Sequence, residues 1–482
     1  MKKLTLLLWV IIISCVAFVG YSFINKSNVN EEIISANPKI TEEKVQIPEN
    51  ETYSSLLKKA NILLEKEYFK EAVETYKQAL SVDPESKEAL YKIGITYLND
   101  NKPEEARRYL LQLQEIESNA EIDVLIGKTY LNERKIQTAK SYFDSLKAET
   151  MNDEAKYYKA ILKILYKKHD EAKSELASLA EKNLTDGASR PPEPGARSKQ
   201  ILEAYSAFNL NREGPEQYLE VLLAKALADV GEPEAGIPLL YDAIKLQNDY
   251  RDAWIILGYC YLNVGKADDA LAALQQARIL EENKPETVFL IGVAYTVNEK
   301  FDDAENYFNQ ALELGFEPQS EINQRLADLS LLKEDFEKAL QSYFKVIEAG
   351  AADENIFTKA VWICIEKLKK PARAIGIAET AVRTLPETAE SYNLLGWAFT
   401  AHGDYKKAQV SLLKALELDP AYASAYLNLG WMYEKQNLLS AAKEYYKKAY
   451  TYGGQNPIAS LAATRFNNIS SYMKADITSP KN

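Results

Sequence analysis

The sequence predicts an all-α protein, in which stacked pairs of helices follow one N-terminal transmembrane helix. Three observations predict this fold class. From Tyr53 onward, pairs of small residues twelve apart recur with a period of about 34 residues. Between them, apolar residues recur at the spacing of one helix face. Before them, the chain runs from Leu4 to Ile24 without a charged residue.

Composition and charge narrow the class of protein. The 482 residues are 46% hydrophobic and 27% charged, which is typical of an ordered chain. A formal net charge of -12 argues against nucleic-acid binding, because phosphate contacts need clustered Lys and Arg. The cysteines are Cys15, Cys260 and Cys364 and the histidines are His169 and His402, all far apart in sequence. We therefore expect no disulfide framework, no metal site and no cofactor.

The N-terminal stretch has the length of a membrane-spanning helix. The uncharged run of 21 residues would span about 30 Å as a helix, which is one bilayer crossing. Lys2 and Lys3 precede it, so the positive-inside rule places the N-terminus in the cytoplasm. Residues 1–25 are therefore predicted to be a single-pass anchor, with the rest of the chain extracytoplasmic, most simply at a bacterial inner membrane.

Two other interpretations of this stretch stay open. The letters "IISC" at residues 12–15 resemble a bacterial lipobox, which would make Cys15 an acylated N-terminus after cleavage. A cleaved signal of another kind is the third alternative. The apolar string "VAFVGYSFI" after the cysteine favours the uncleaved anchor. Residues 26–52 are polar and without periodicity, and they are predicted to be a flexible stalk with a reach of about 30 Å.

Each repeat unit is predicted to be a helix, a turn and a second helix. The clearest copies are "AESYNLLGWAFTAHGDYKKAQVSLLKALELDP" (389–420) and "ASAYLNLGWMYEKQNLLSAAKEYYKKAY" (423–450). The small residues should let the two helices approach closely. The first of each pair are Ala60, Gly94, Gly127, Ala160, Ala224, Gly258, Gly292, Ala327, Gly396 and Gly430. The second are Ala72, Ala106, Ala139, Ala172, Gly236, Ala270, Ala304, Ala339, Ala408 and Ala442.

This pattern resembles the tetratricopeptide repeat over residues 53–456. The resemblance implies a right-handed α-α superhelix, a solenoid of about eleven repeats. The predicted starts lie near residues 53, 87, 120, 153, 217, 251, 285, 320, 355, 389 and 423. Residues 457–473 are predicted to form a capping helix, since the last repeat would otherwise expose its apolar face. Residues 474–482 are predicted to be a disordered tail.

An insertion interrupts the array. The string "NLTDGASRPPEPGARSKQ" (183–200) is too rich in Pro, Gly and Ser to be predicted as helical, and a lone helix follows it. Residues 187–216 are therefore expected to link two blocks of repeats. The first block is 53–186, with about four repeats, and the second is 217–456, with about seven.

The register of the ninth repeat is ambiguous. Counting by the period puts Trp362 at the first small-residue position. Ala360 and Ala372 are also twelve apart, so a register displaced by two residues stays open.

No catalytic motif is present in the sequence. It contains no phosphate-binding glycine loop, no H-E-x-x-H, no C-x-x-C and no G-x-S-x-G. Acidic pairs such as Asp268 and Asp269 fall in repeat turns, where they start second helices favourably. We therefore predict a protein that is not an enzyme, and no residue is predicted to be catalytic.

The resemblance implies a ligand-binding groove. In this family, first helices line a concave face, and the residue after the first small position points into it, beside residues three and four positions earlier. Carried onto this chain, the groove would include Tyr259, Phe289, Val293, Lys359, Asn393, Trp397, Leu427 and Trp431. The alternative is that Trp397 and Trp431 only pack on adjoining helices. The Lys and Asn set with which chaperone-binding members clamp a terminal carboxylate is not reproduced.

These features predict a membrane-anchored scaffold or adaptor that recruits partner proteins through its groove, in envelope-associated assembly. Its partners would be other proteins and, through the N-terminal helix, a membrane, but not nucleic acid. Two alternatives are a lipoprotein assembly factor acylated at Cys15, for pilus, secretion or outer-membrane machinery, and a non-catalytic subunit of an envelope enzyme. The sequence predicts no oligomeric state.

Overall fold

The structure is a computed structural model, and it describes most of the chain after the predicted stalk. The described residues are 53–65, 68–147, 151–182, 193–210, 214–454 and 457–478, with the backbone alone at 182 and 472–478. They form 24 α-helices and no strand. None of these helices is long and apolar enough to cross a membrane. The predicted anchor with Cys15 and the predicted stalk lie outside the described residues.

The described helices belong to two compact units, which divide between Phe316 and Glu317. Unit 1 contains α1 (Tyr53–Glu65), α2 (Phe69–Val82), α3 (Lys87–Asn99), α4 (Pro103–Ile116), α5 (Ala120–Asn132), α6 (Ile136–Ser145), α7 (Asp153–Leu165), α8 (His169–Lys182), α9 (Pro194–Leu210), α10 (Glu216–Asp229), α11 (Pro233–Leu246), α12 (Arg251–Asn263), α13 (Ala267–Leu280), α14 (Pro285–Val297) and α15 (Phe301–Glu313). Unit 2 contains α16 (Gln319–Leu332), α17 (Phe336–Glu348), α18 (Glu354–Trp362), α19 (Pro371–Thr384), α20 (Ala389–His402), α21 (Tyr405–Leu418), α22 (Ala423–Lys435), α23 (Leu439–Gly453) and α24 (Pro457–Thr478).

The helices are arranged as eleven helix–turn–helix pairs and two single helices. The first four pairs are α1 to α8, and the other seven are α10 to α23. Every first helix of a pair begins within one residue of its predicted start. The single helices are α9, after the fourth pair, and α24, at the end of the array.

The small residues are explained by side-chain packing inside each pair. Where the first small residue is glycine, an added Cβ would lie 2.4–2.8 Å from a large side chain sixteen residues later in the second helix. The six large side chains are Leu110, Phe143, Leu274, Phe308, Leu412 and Tyr446, all fully buried. At Gly236 the approach is to backbone, because a Cβ would lie 2.8 Å from the carbonyl oxygen of Ala224. A larger residue at these positions would force the helices apart.

The turn within a pair has a constant backbone conformation. Seven residues after the first small position, the turn residue has φ between 51° and 91°, in the left-handed region. These residues are Asn101, Arg134, Lys167, Gly231, Gly265, Glu299, Glu334, Lys369, Gly403 and Asn437. Because the offset does not vary, the turn residue also fixes the register of each repeat.

The ninth pair carries its large and small residues in exchanged positions. Lys369 has the left-handed turn conformation seven residues after Trp362, so Trp362 occupies the first small-residue position. Trp362 is fully buried, as are Ala374 and Ala378, the positions twelve and sixteen residues later. The displaced register is wrong, because Ala372 is exposed. A tryptophan in the first helix is thus accommodated by an alanine in the second, and the first helix then continues as a π-helical turn (Ile363–Lys367).

Helix α9 begins earlier than the sequence predicts. The lone helix is predicted to start at Lys199, but residues 194–198 are also helical and form its first turn. Pro194 is its first residue, where proline is favourable because that position needs no N–H donor. The helix packs between α8 and α10 inside unit 1, with Ile201 and Tyr205 buried.

Helix α24 covers the end of the last pair. It extends to Thr478, five residues beyond the predicted end of the cap. Ala462 and Ile469 are buried in one apolar cluster with Leu427 and Tyr446 of the last pair. This packing removes the apolar face of α22 and α23 from solvent.

Candidate protein-binding faces

Unit 2 brings five of the predicted groove residues together on neighbouring first helices. Lys359 lies on α18, Asn393 and Trp397 on α20, and Leu427 and Trp431 on α22. Lys359, Asn393 and Leu427 are buried, whereas the two tryptophans are partly exposed. We refer to these five residues as the inner face of unit 2.

The two tryptophans of the inner face have different surroundings. Trp397 packs against the apolar cluster that contains Trp362 and Leu394, so part of its ring belongs to the core. Trp431 has the ammonium of Lys435 5.5 Å from its ring centroid, a cation–π contact. Trp397 is therefore partly a packing residue, as the second alternative from the sequence expects, whereas the contact described for Trp431 is with a charged side chain.

The buried polar residues of the inner face are paired within the molecule. The ammonium of Lys359 donates to Asp328 Oδ1 at 3.0 Å, and the Tyr343 hydroxyl donates to the same oxygen at 2.5 Å. The Lys359 charge is thereby neutralised. Asn428 Nδ2 donates to Asn393 Oδ1 at 2.8 Å. Since each amide side chain has two N–H donors and an acceptor oxygen, this amide pair has hydrogen-bonding capacity beyond their one mutual bond.

Arg465 follows the inner-face row onto the capping helix, and the sequence reasoning missed it. It lies on α24, 34 residues after Trp431, and its guanidinium pairs with Glu434 Oε2 at 3.1 Å. The Tyr446 hydroxyl donates to the same carboxylate. Trp397, Trp431 and Arg465 are each 34 residues apart, so extending the repeat period into the capping helix would have predicted Arg465.

The predicted groove residues of unit 1 are covered by their own chain. Tyr259 on α12 and Phe289 and Val293 on α14 are all buried. The Phe289 ring stacks on Phe316, with centroids 4.5 Å apart. The part of the predicted track that is open to solvent therefore lies in unit 2.

Unit 1 contains instead a buried charge cluster around Glu232. This carboxylate accepts hydrogen bonds from Lys128 Nζ at 3.1 Å, Tyr158 OH at 2.7 Å and Arg197 Nη1 at 3.4 Å. Arg197 Nη2 also donates to Glu154 at 2.5 Å. The donors come from α5, α7 and α9, and Glu232 immediately precedes α11. The contact thus holds α11 against the first helices of the third and fourth pairs.

The surroundings shift the pKa values of this cluster. Burial acts to lower the pKa of Lys128, but the attraction of Glu232 outweighs it, and the pKa lies above its ordinary value. Burial, with the neighbouring Glu232 charge, raises the pKa of Glu234 to about 7.

A second contact joins distant repeats of unit 1. Asn101 Nδ2, in the turn of the second repeat, donates to the carbonyl oxygen of Val264, in the turn of the sixth repeat, at 2.6 Å.

Family profiles match the repeats on both units. Profiles described as TPR repeat match residues 60–101 and 396–437, and profiles described as tetratricopeptide repeat match residues 88–119, 221–285, 289–355 and 423–452. Together they cover about half of the chain. The chain belongs to the tetratricopeptide repeat family.

Individual tetratricopeptide repeat proteins share only part of this chain at low identity. TPR repeat-containing protein YpiA of Bacillus subtilis is 24% identical over 255 residues, 52% of this chain and 51% of that protein. The mouse Cell division cycle protein 16 homolog is 25% identical over 178 residues, 35% of this chain and 28% of that protein. The chain thus spans about half or less of these relatives. The crystal structure of yeast Tom70 is 14% identical, with a TM-score of 0.34, over 88% of this chain and 96% of that one.

The described residues of this tetratricopeptide repeat protein bring no metal-binding cluster together, since no three or more His, Cys, Asp or Glu are placed to hold an ion. Cys260 and Cys364 are both buried free thiols. Burial raises the pKa of the Cys364 thiol to about 11, which disfavours a reactive thiolate.

Proposed function

We propose that this protein is a scaffold that holds a segment of a partner protein on the inner face of unit 2. The observation that carries the proposal is the pair of partly exposed tryptophans, Trp397 and Trp431, on neighbouring first helices. Tryptophan is among the residues that contribute most to binding when a partner buries it at the centre of an interface.

The polar groups beside the tryptophans suit an extended or helical protein segment. The Asn393–Asn428 pair offers donors and acceptors of the kind a peptide backbone needs. Arg465, whose side chain is 18% exposed, is held in place by Glu434. An apolar side chain of the segment would cover Trp431, while its backbone would meet the amide pair.

The proposal includes membrane attachment through residues 1–25, with the repeats on the outer side of a bacterial inner membrane and a role in envelope-associated assembly. Its support is the uncharged run after Lys2 and Lys3. The alternatives are a lipoprotein acylated at Cys15, supported by the string "IISC", and a non-catalytic subunit of an envelope enzyme. The chain itself is proposed to catalyse no reaction.

Site-specific photo-crosslinking tests the binding face. A photoreactive amino acid replaces Asn428 on the inner face or, as an outer control, Val410, which is 70% exposed. We expect the photoreactive group at position 428 to capture a discrete partner from the membrane fraction. Trp431→Ala should abolish this capture, whereas Trp254→Ala, a matched change outside this face, should not. Capture that is equal at 428 and 410, or that survives Trp431→Ala in a folded protein, contradicts the proposed face.

Topology and acylation need two separate measurements. An alkaline phosphatase fusion at the C-terminus should be active in cells if the repeats lie outside the inner membrane, and an inactive but stable fusion contradicts that orientation. A palmitate analogue should label the protein only if the lipoprotein alternative is right, and Cys15→Ser should then remove the label.

A further inference from the structure

Glu232 reverses the charge of a position that is usually basic in this array. It lies eight residues after the first small residue of the fifth repeat, directly after the turn residue Gly231. The same position is lysine in six other repeats: Lys102, Lys135, Lys168, Lys266, Lys300 and Lys370. Asp335 and Asp404 are also acidic at this position, but each caps its own second helix through its side chain. Glu232 makes no such cap bond, so its presence here has a different local cause.

The cause is a set of three donors that all bind this carboxylate. Lys128 and Tyr158 occupy groove positions of the third and fourth repeats, and Arg197 comes from α9, which lies outside the repeats. Arg197 is 6% exposed and Glu232 is 4% exposed. Charge-assisted hydrogen bonds in a buried setting are the strong ones, so the three donors form a site that fits a carboxylate.

The site has more donors than its two resident carboxylates use. Arg197 Nε and the Tyr157 hydroxyl are buried and have no hydrogen-bond partner among the described residues. The two groups are adjacent, because the guanidinium carbon of Arg197 lies 4.2 Å from the centroid of the Tyr157 ring. Since buried donors are nearly always satisfied, this spare capacity points to a further acceptor.

We propose that Lys128, Tyr158 and Arg197 form a carboxylate-binding site that the chain's own Glu232 occupies, and that an acidic segment of a partner protein binds there by displacing it. The resident sequence Glu232–Pro233–Glu234 shows the kind of segment that fits, with one acidic group in the site and a second beside it. Because Glu232 holds α11 against α5 and α7, displacement would open the groove of these repeats. This site lies in unit 1 and is separate from the inner face of unit 2.

A peptide that copies the resident segment tests the site in the full-length, detergent-solubilised protein. The probe is a fluorescein-labelled peptide of residues 229–236, DVGEPEAG, followed by fluorescence anisotropy. Glu232→Gln removes the resident charge, so we expect this variant to bind the probe at least tenfold more tightly than the wild type. Adding Arg197→Met should abolish the gain, and the peptide DVGQPEAG should not bind.

Glu234→Gln is the matched control, because it removes a neighbouring carboxylate and leaves Glu232 in place. It should bind the probe like the wild type. Circular dichroism checks folding, and if Glu232→Gln loses helicity, Glu232→Asp supplies the test with the same expected direction. A folded Glu232 variant that binds no better than the wild type, or equally well with and without Arg197→Met, overturns the proposal.

Discussion

Unit 1 and unit 2 are built from the same repeat but use the inner faces of their first helices in different ways. In unit 1, Lys128 and Tyr158 bind Glu232 of the same chain, and Tyr259, Phe289 and Val293 are buried. In unit 2, Trp397 and Trp431 stay partly exposed. The difference shows that one row of sequence positions can be covered by the same chain in one unit and stay partly open to solvent in the other.

The comparison also identifies what closes unit 1. Arg197 is supplied by α9, and Glu232 stands at a position where other repeats have lysine. Unit 2 has no helix inserted between its described pairs. Asp335 and Asp404 are acidic at the corresponding position, but each accepts a hydrogen bond from the backbone of its own second helix, at Lys338 and Lys407. The inserted helix that supplies Arg197, and the bonds that Glu232 makes to the first helices, thus distinguish the closed face from the open one.

The largest expected effect distinguishes the core tryptophan of unit 2 from its surface tryptophans. Trp362→Ala should lower the free energy of unfolding by about 3–5 kcal/mol, because it leaves a large cavity in a fully buried position. Native-state hydrogen exchange of α18 and α19 measures this locally. Trp397→Ala, as the control, should cost less than half as much.

Restoring the usual order of large and small residues should rescue that variant. Ala378→Leu places a large side chain where other repeats have one, so the double variant should recover more than half of the lost stability. If the double variant is no more stable than Trp362→Ala, a large side chain at position 378 does not replace Trp362 in the core of the ninth pair, and this prediction is wrong.

Breaking the cluster of unit 1 should have the next largest effect. Arg197→Met removes the cationic partner of Glu154 and leaves Glu232 with Lys128 alone, so it should cost about 3 kcal/mol. Amide exchange should accelerate in α5, α7 and α11. Arg465→Met, at the more exposed pair with Glu434, should cost less than about 1 kcal/mol. Equal costs for the two changes would remove the contrast between the units.

The pH dependence of stability should be visible in both units. Burial raises the pKa of Glu234 and of Glu390 to about 7, the latter with a further contribution from Glu354. Because the folded state binds these protons more tightly than the unfolded state, stability falls as pH rises from about 4.5 to 7.

Replacing either glutamate by glutamine should therefore flatten this decline. The melting temperature of the variant should exceed that of the wild type by more at pH 8 than at pH 5. The expected gain is about 1–2 kcal/mol each, allowing for partial solvent exposure. Thermal melts at the two pH values check it, with Glu417→Gln, an exposed surface residue, as the control. Parallel curves for variant and wild type would contradict the raised pKa.

The smallest effect on stability should accompany the largest effect on recognition. Trp431→Ala should change the free energy of unfolding by less than about 1 kcal/mol, since the ring is partly exposed. Loss of partner affinity should reach about 2 kcal/mol, or roughly thirtyfold, measured with the crosslinked partner once purified. A large loss of stability instead would assign Trp431 to packing.

The repeat, its helix starts and its small residues could be predicted because they depend on contacts within one pair. Gly396 faces Leu412 and Gly430 faces Tyr446, sixteen residues away in both cases. The start of α9 differs from the expectation because a content of Pro, Gly and Ser was weighed without position, and Pro194 stands at the first helical position, where proline is favourable.

The closed face of unit 1 could not be predicted in the same way. It depends on residues 74 and 104 apart, Tyr158 and Lys128 with Glu232, and on Arg197, which belongs to no repeat. The periodic pattern that predicts first and second helices contains no information about which turn later meets which groove. The acidic Glu232 was a partial signal, because comparing repeats position by position finds it together with Asp335 and Asp404.

The turn residues have a consequence for heat tolerance. Seven of the ten left-handed turn positions carry side chains other than glycine, among them Glu299 in unit 1 and Glu334 in unit 2. An L-amino acid in this conformation costs roughly 1 kcal/mol more than glycine. Because the turns are far apart, their effects should add. The array can therefore be thermostabilised stepwise by glycine substitutions at turn residues such as Glu299 and Glu334, but not at Asn101 or Lys167, whose side chains bind Val264 and Glu220.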